Sequence, residues 1–323
     1  MLATLNLRLG RLGLAMSAKP RPPCLRRTVV RMVGDPQQLE RLVDFLRAGS
    51  IAVLSGAGLS TESGIPDYRG PTGAARPATP MTVQVFTGSE AAQRRYWSRS
   101  HLGWRTIARA RPNEGHRAVA ALEQLGLLAG TITQNVDGLH TAGGLREVVE
   151  LHGNLDRVVC LRCGELSTRE ALDERLREAN PHWQGRVTAV KPDGDVELED
   201  AEGFHIVACT VCAGVLKPDV VFFGETVPAE RVAASFALVE RAGGLLVLGS
   251  SLTVMSGYRF VLRAAKLGLP VAIVNQGPTR GDDRAGLRVD APLGQVLPGA
   301  VRLLAGLASP VSPDTRTVHF LTH

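Results

Sequence analysis

Hydrophobic and polar positions along the chain switch between a helical period and short unbroken apolar runs. Residues 37–48 place Leu39, Leu42, Val43, Phe45 and Leu46 near helical spacing, which predicts an amphipathic helix. Five short apolar runs, at residues 51–54, 130–133, 219–223, 245–248 and 271–274, predict buried strands. Helical patterns fall between several of them, at residues 116–125, 228–242 and 256–267. Strands and helices in alternation predict an α/β fold: an open parallel sheet with helices on both faces.

Two stretches break that alternation. Residues 77–112 carry Tyr96, Trp97, Trp104 and many arginines and predict a helical insertion. Residues 158–217 carry two cysteine pairs, a helix-like segment at 168–178 and an acidic turn at 193–200. The expected organisation is a basic extension at residues 1–34 and a dinucleotide-binding domain assembled from 35–76, 113–157 and 218–308. The insertions at 77–112 and 158–217 would together form a small domain, and a Pro- and Thr-rich tail fills 309–323. The chain shows no internal repeat.

Charge narrows the partners. The 323 residues carry a net charge of +6, but seven of the 37 basic residues and none of the 31 acidic ones lie in the first 34 positions. The remainder is close to neutral and offers no basic surface for nucleic acid. No window approaches the roughly 20 uninterrupted apolar residues of a membrane span. The extension has two readings. As an Arg-rich, acid-free segment it resembles a mitochondrial transit peptide, which implies the mitochondrial matrix. Otherwise it is a disordered tail, or lies upstream of a true start at Met16 or Met32. Only four of the 37 basic residues are lysines, as a GC-rich bacterial genome would give, and this favours the second reading and the cytoplasm.

The candidate chemistry clusters at predicted strand ends. The run from Gly56 through Ala57, Gly58, Ser60, Thr61, Ile65, Pro66, Asp67 and Tyr68 to Arg69 follows the first strand. A strand feeding a Gly-x-Gly turn is how open α/β sheets hold a dinucleotide pyrophosphate. The third glycine of the dehydrogenase fingerprint would fall at Thr61, and no acid stands near position 76 to hold a ribose. Both absences disfavour hydride transfer. Gln134, Asn135, Val136 and Asp137 follow the second strand, with side chains able to hydrogen-bond a ribose, a water and a carboxamide. Gly249, Ser250 and Ser251, then Asn275, Gln276 and Gly277, end two further strands, where small polar residues can meet an adenosine. Each of these loops would serve equally as a helix cap. His152, in Glu150-Leu151-His152-Gly153-Asn154, can accept a proton from a hydroxyl near neutral pH, with Gly153 leaving one side of the imidazole open. His140 is its competitor. The run Val220, Val221, Phe222, Phe223, Gly224, Glu225 is a core strand or a surface that pairs with an extended peptide. Cys160, Cys163, Cys209 and Cys212 form two C-x-x-C pairs, which fit a closed tetrahedral zinc site of structural type. A fifth cysteine, Cys24, stands alone in the extension.

From about Leu39 to Val301 these motifs, in this order, resemble those of the sirtuins, NAD-consuming protein-lysine deacylases. The Ser60-Thr61-Glu62-Ser63 variant, the Tyr96-Trp97-Ser98-Arg99 run and the long insert between cysteine pairs resemble the class II branch, which includes a mitochondrial lipoamidase. The resemblance implies NAD as co-substrate, one structural zinc and an acyl-lysine protein or peptide as partner. It implies His152 as general base, with Asn135 placing water and ribose and Asp137 near the carboxamide. The loops at 56–69, 134–137, 249–251 and 275–277 would contact NAD, and residues 220–225 would hold the peptide. A Cys usual in the family about eighteen residues after Asn275 is Leu293 here. Tyr96 and Arg99 have the Tyr-x-x-Arg spacing of sirtuins that read acidic acyl groups, and fit helix packing equally well. Products would be nicotinamide, free lysine and O-acyl-ADP-ribose. The alternatives are mono-ADP-ribosyl transfer from the same NAD site, a dehydrogenase, or a non-catalytic zinc-bearing interaction module.

Overall fold

The computed structural model describes residues 35–67, 81–185, 187–190, 196–198 and 201–308. The expected extension, Tyr68, Arg69, residues 193–195 and 199–200 of the acidic turn, and the tail lie outside them. In chain order the elements are α1 (Pro36–Arg47), β1 (Ile51–Ser55), α2 (Val83–Gly88), α3 (Glu90–Arg109), α4 (Glu114–Gln124), β2 (Leu128–Thr133), α5 (Leu139–Ala142) and β3 (Val148–Glu150). Then come β4 (Gly153–Cys160), β5 (Leu166–Thr168), α6 (Arg169–Ala179), β6 (Val187–Val190), β7 (Val196–Leu198) and β8 (Leu216–Val220). The chain continues through α7 (Ala229–Glu240), β9 (Gly244–Leu248), α8 (Met255–Lys266), β10 (Val271–Val274), β11 (Leu287–Val289) and α9 (Leu293–Ala308).

Six parallel strands form the main sheet in the order β11-β10-β9-β1-β2-β3. Counted within that sheet, the order is the 3-2-1-4-5-6 of dinucleotide-binding folds, with its direction reversing between β1 and β9. Alternation explains why the strands are apolar throughout. Ile51 and Val53 of β1 join Leu246, Leu248 and Val274 in a cluster with α1, α4 and α9. Ala52 and Leu54 point the other way, with Leu245, Val247 and Ile273, against α7 and α8. A sheet covered on both faces needs no polar positions. Asp35 caps α1 by accepting from the Gln37 amide, and Pro36 opens the helix.

One predicted strand is placed differently. The run at 219–223 does not join the parallel sheet. β8 covers Leu216–Val220 and pairs antiparallel with β4 in a three-stranded sheet, β5-β4-β8. Residues 221–225 continue as a loop, because Phe222 turns into an aromatic cluster, edge-on to Phe86 and Tyr96. The main sheet instead recruits β3 and β11, three-residue strands at its two edges. Short apolar runs carry burial but not the identity of their sheet.

The insertion after β1 is helical, as expected, in α2 and α3. Phe86, Tyr96, Trp97 and Ile107 share one apolar cluster with Leu172, Leu176, Phe204 and Leu216 from the cysteine-bearing stretch. Trp97 donates its indole N–H to the Leu216 carbonyl at 3.0 Å. Arg169, fully buried, lies between the Trp97 and Trp104 rings at 5.5 and 5.2 Å and donates to the Ser100 carbonyl. No helix among the described residues is long and apolar enough to cross a membrane.

Candidate active site and metal centre

The carboxyl ends of β1, β2, β9 and β10 open into a cleft of about 950 Å³, at the sheet's switch point. The loop after β1 is pressed against the loop after β9. Gly56 N–H donates to the Leu248 carbonyl at 2.9 Å and Gly58 N–H to the Gly249 carbonyl at 2.8 Å. A Cβ on Gly58 would stand 2.9 Å from the Gly249 Cα, and Gly249 has φ +60° with Leu59 backbone where its own Cβ would lie. Both positions therefore require glycine. Ser60 ties this loop to the one after β2. Its hydroxyl donates to the Asp137 carboxylate at 2.6 Å and accepts from the Asn135 amide at 3.0 Å. Asn135 also donates to the Gly56 carbonyl at 3.1 Å. Burial pushes the Asp137 carboxyl above the usual range, against the Ser60 hydroxyl and the Leu139 N–H that favour its ionised form.

His152 lies between β3 and β4 with both ring nitrogens engaged. Nδ1 is 3.0 Å from the Gln134 carbonyl oxygen. A carbonyl only accepts, so Nδ1 carries the proton, and in the neutral ring Nε2 is the basic nitrogen. Nε2 lies 2.9 Å from Ser256 Oγ. Burial holds the imidazole below its ordinary pKa, opposed by the Gln134 hydrogen bond and helped by the Arg259 and Arg231 guanidiniums. Gly153, expected to leave one side of the imidazole open, has a backbone reason to be glycine. Its φ is +86° and a Cβ there would run into the Asp219 carbonyl oxygen, so glycine lets β4 and β8 cross closely. Behind it, Asp219 pairs with Arg157 at 2.8 Å and Arg231 at 2.9 Å, and Arg157 also pairs with Glu150. His140 is no competitor for the cleft. It is buried, with Nε2 2.8 Å from Ser55 Oγ, and its ring meets that of His116 at 5.3 Å. Burial drives His140 down to about 3 and His116 to about 4.

Nearly all the described residues expected at the site line this cleft: Gly56, Ala57, Gly58, Ser60, Thr61, Ile65, Asp67, residues 134–137, His152, residues 220–225, Gly249, Ser250, Ser251, Asn275, Gln276, Gly277, Leu293 and Tyr96. Pro66 and Arg99 do not. Tyr96 lines the cleft while being only 3 % exposed and packed edge-on to Phe86 at 5.4 Å, and Arg99 one turn later is not among the lining residues. Several side chains are already committed locally. Glu225 pairs with buried Lys217 at 3.0 Å and accepts the Phe222 N–H at 2.8 Å, which fixes the turn after β8. Gln134 donates to Ser250 Oγ at 2.9 Å. Asn275 donates to the carbonyls of Gln276 and Gly277. The sequence reading passed over Val254, Met255, Ser256 and Arg259, which also line the cleft. They follow β9 by a few residues, so extending the strand-end rule into the next helix would have found them.

The four cysteines converge at the turns flanking β4 and β8. All four Sγ atoms lie within 4.8 Å of one another, with Cys160–Cys212 at 3.5 Å and Cys163–Cys209 at 3.8 Å. A tetrahedron with metal–sulfur bonds of about 2.3 Å has sulfur–sulfur edges of roughly 3.8 Å, so the set fits zinc with four protein ligands. That leaves no coordination position for a substrate.

Comparison with known proteins agrees with this geometry. The model of the Sir2 family matches residues 56–256. An NAD-dependent protein deacetylase of Streptomyces coelicolor is 61 % identical over 261 residues, covering 80 % of this chain and 87 % of that protein. The human mitochondrial NAD-dependent protein lipoamidase sirtuin-4 is 43 % identical over 292 residues, covering 87 % and 93 %. A solved Sir2 variant with deacetylated p53 peptide and 3′-O-acetyl-ADP-ribose superposes with a TM-score of 0.67 at 29 % identity, covering 82 % of this chain and 98 % of that one. A six-stranded dinucleotide sheet, a closed four-cysteine centre and a family match across the cleft residues lead to one conclusion: this chain belongs to the Sir2 family, the sirtuins.

Proposed function

We propose that the protein is an NAD-dependent protein-lysine deacylase. The observation that carries this reading is the state of His152: neutral, protonated at Nδ1 so that Nε2 is its basic nitrogen, and lining the cleft on which the glycine loop, Asn135, Asp137 and residues 220–225 converge. The donor set suits NAD. Hydroxyls of Ser60 and Ser250 and amides of Gln134 and Asn135 match ribose hydroxyls, and Asp137 matches a carboxamide. NAD supplies a ribose carbon from which nicotinamide is displaced by the acyl oxygen, giving nicotinamide, free lysine and O-acyl-ADP-ribose as products.

The chain's own groups do the rest. Asp137 accepts the carboxamide N–H, held in place by Ser60. Asn135, anchored on the Gly56 carbonyl, places ribose and water. His152 Nε2 takes a proton from a ribose hydroxyl, and the Gln134 carbonyl steadies the imidazolium through Nδ1. Residues 220–225 hold the acyl-lysine peptide by main-chain pairing. Gly249–Ser251 and Asn275–Gly277 receive the adenosine half, with Leu293 beside them. Zinc supplies a cross-link between the turns at 160–163 and 209–212 and takes no part in the chemistry. The two insertions act together as the wall of the cleft facing the substrate. The bacterial relatives, and four cysteines placed to hold a metal rather than to form disulfides, support a cytoplasmic setting.

Mass spectrometry of products from NAD and a panel of acetyl-, succinyl-, methylglutaryl- and lipoyl-lysine peptides tests the reading. Nicotinamide with acylated ADP-ribose is expected from at least one peptide, and its identity reports the acyl preference. Intact NAD with every peptide would overturn the proposal. Label passing from NAD to an acceptor protein without any acyl peptide would support mono-ADP-ribosyl transfer instead.

A further inference from the structure

His152 has a partner that the proposed reaction does not use. Ser256 is the second residue of α8, and its hydroxyl is not spent on capping: the N-cap, Val254, makes no side-chain capping bond, and Ser256 Oγ is directed at His152 Nε2, 2.9 Å away. The pair is built by packing. Gly257, the next residue, has the Gln134 side chain where its own Cβ would stand. The carbonyl of that same Gln134 accepts from His152 Nδ1. One residue thus sets both the imidazole and the start of the helix that carries the serine.

A hydroxyl has one proton to give and two lone pairs to offer. Against neutral His152, Ser256 donates to Nε2. Once Nε2 carries a proton, the same hydroxyl can rotate about its C–O bond and accept. We infer that Ser256 is a positioning residue for the base: its hydroxyl holds the ring through Nε2 in the resting site, gives up that lone pair to the incoming ribose hydroxyl by rotating away, and then accepts from the Nε2–H of the imidazolium after it takes the ribose proton. The inference rests on His152 being the base. In that step the ribose O–H bond breaks and an N–H bond forms at Nε2. The electron pair stays on the ribose oxygen for attack on the acyl carbon, and Ser256 changes only its rotamer. Other charges around the ring do not substitute for it. Arg259 of α8 and Arg231 of α7 both oppose the imidazolium. Asp219 and Glu150 are occupied with Arg231 and Arg157. Ser256 is therefore the group at Nε2 that favours the charged form.

The test compares Ser256→Ala, Ser256→Thr and His152→Ala in the full chain, measuring the pH profile of kcat/KM for the acyl peptide at saturating NAD. Zinc content and NAD affinity report folding. A hydrogen bond to a charged partner is worth more than one to a neutral partner, so its loss lowers the pKa of His152. Ser256→Ala is expected to keep zinc and NAD binding, to lower kcat about five- to tenfold, and to move the acid limb down by roughly half a pH unit or more. Ser256→Thr restores both. Should Ser256→Ala not fold, Ser256→Val against Ser256→Thr makes the same comparison with matched shape. An unchanged limb and kcat in Ser256→Ala, with His152→Ala inactive, overturns the inference alone. Full turnover by His152→Ala overturns the assignment of the base and the inference with it.

Discussion

Gly153→Ala should damage this protein well beyond the ordinary effect of a methyl group. Its φ of +86° costs a non-glycine residue about 1–2 kcal/mol. The added Cβ would also collide with the Asp219 carbonyl, which is backbone and cannot swing aside. Relief requires β8 to move from β4, weakening the bond from Val221 N–H to the His152 carbonyl at 2.8 Å, worth about 0.5–1.5 kcal/mol. The sum is about 1.5–3.5 kcal/mol, or a fall in Tm of roughly 3–14 °C at about 2–4 °C per kcal/mol. Gly126→Ala is the control. Gly126 has φ +71° but open space around its Cβ position, so it reports strain alone, about 1–2 kcal/mol. Differential scanning calorimetry of both variants, with deacylation measured below either Tm, makes the comparison. Gly153→Ala should also lose most of its activity, because His152 is the adjacent residue. Equal Tm shifts in the two variants would refute the argument that backbone approach dictates this glycine.

Further expectations can be checked separately. Metal analysis should find one zinc per chain, and Cys209→Ala should lose it and expose residues 158–217 to protease; undiminished protease resistance in the metal-free protein would contradict a structural role. Both buried histidines have folded-state pKa values far below the ordinary 6.5, at about 3 for His140 and about 4 for His116. Below pH 6.5 the unfolded chain therefore binds protons that the folded chain refuses. Their stabilisation is intact above pH 6.5 and declines as pH falls towards 3, so urea midpoints should drop over that window, less steeply in His140→Gln. A slope unaffected by that substitution would remove His140 from the account. Arg259→Met takes away a cation that disfavours imidazolium. The acid limb of kcat/KM should then move to higher pH, and an unmoved limb would mean solvent already screens the guanidinium.

Much of the molecule is local information. The order of the buried strands, the loops at their carboxyl ends and the paired cysteines are written in runs of a few residues. Burial needs an apolar stretch, a tight turn needs glycine, and a closed metal centre needs thiolates at short spacing. Hence β1, β2, β9 and β10, the cleft loops at 56–67, 134–137, 249–251 and 275–277, and the four cysteines were all legible. Tertiary structure decided the rest. The run at 219–223 is apolar in either sheet, and only the packing of Phe222 on Phe86 and Tyr96 drew it away from the parallel one. Gly153 meets the carbonyl of Asp219, a contact between strands far apart in the chain. Ser256 meets His152 across 104 residues, with Gln134 holding Nδ1 through its carbonyl and packing its side chain against Gly257. A contact at that range is the product of how three elements pack, and no window of sequence contains it.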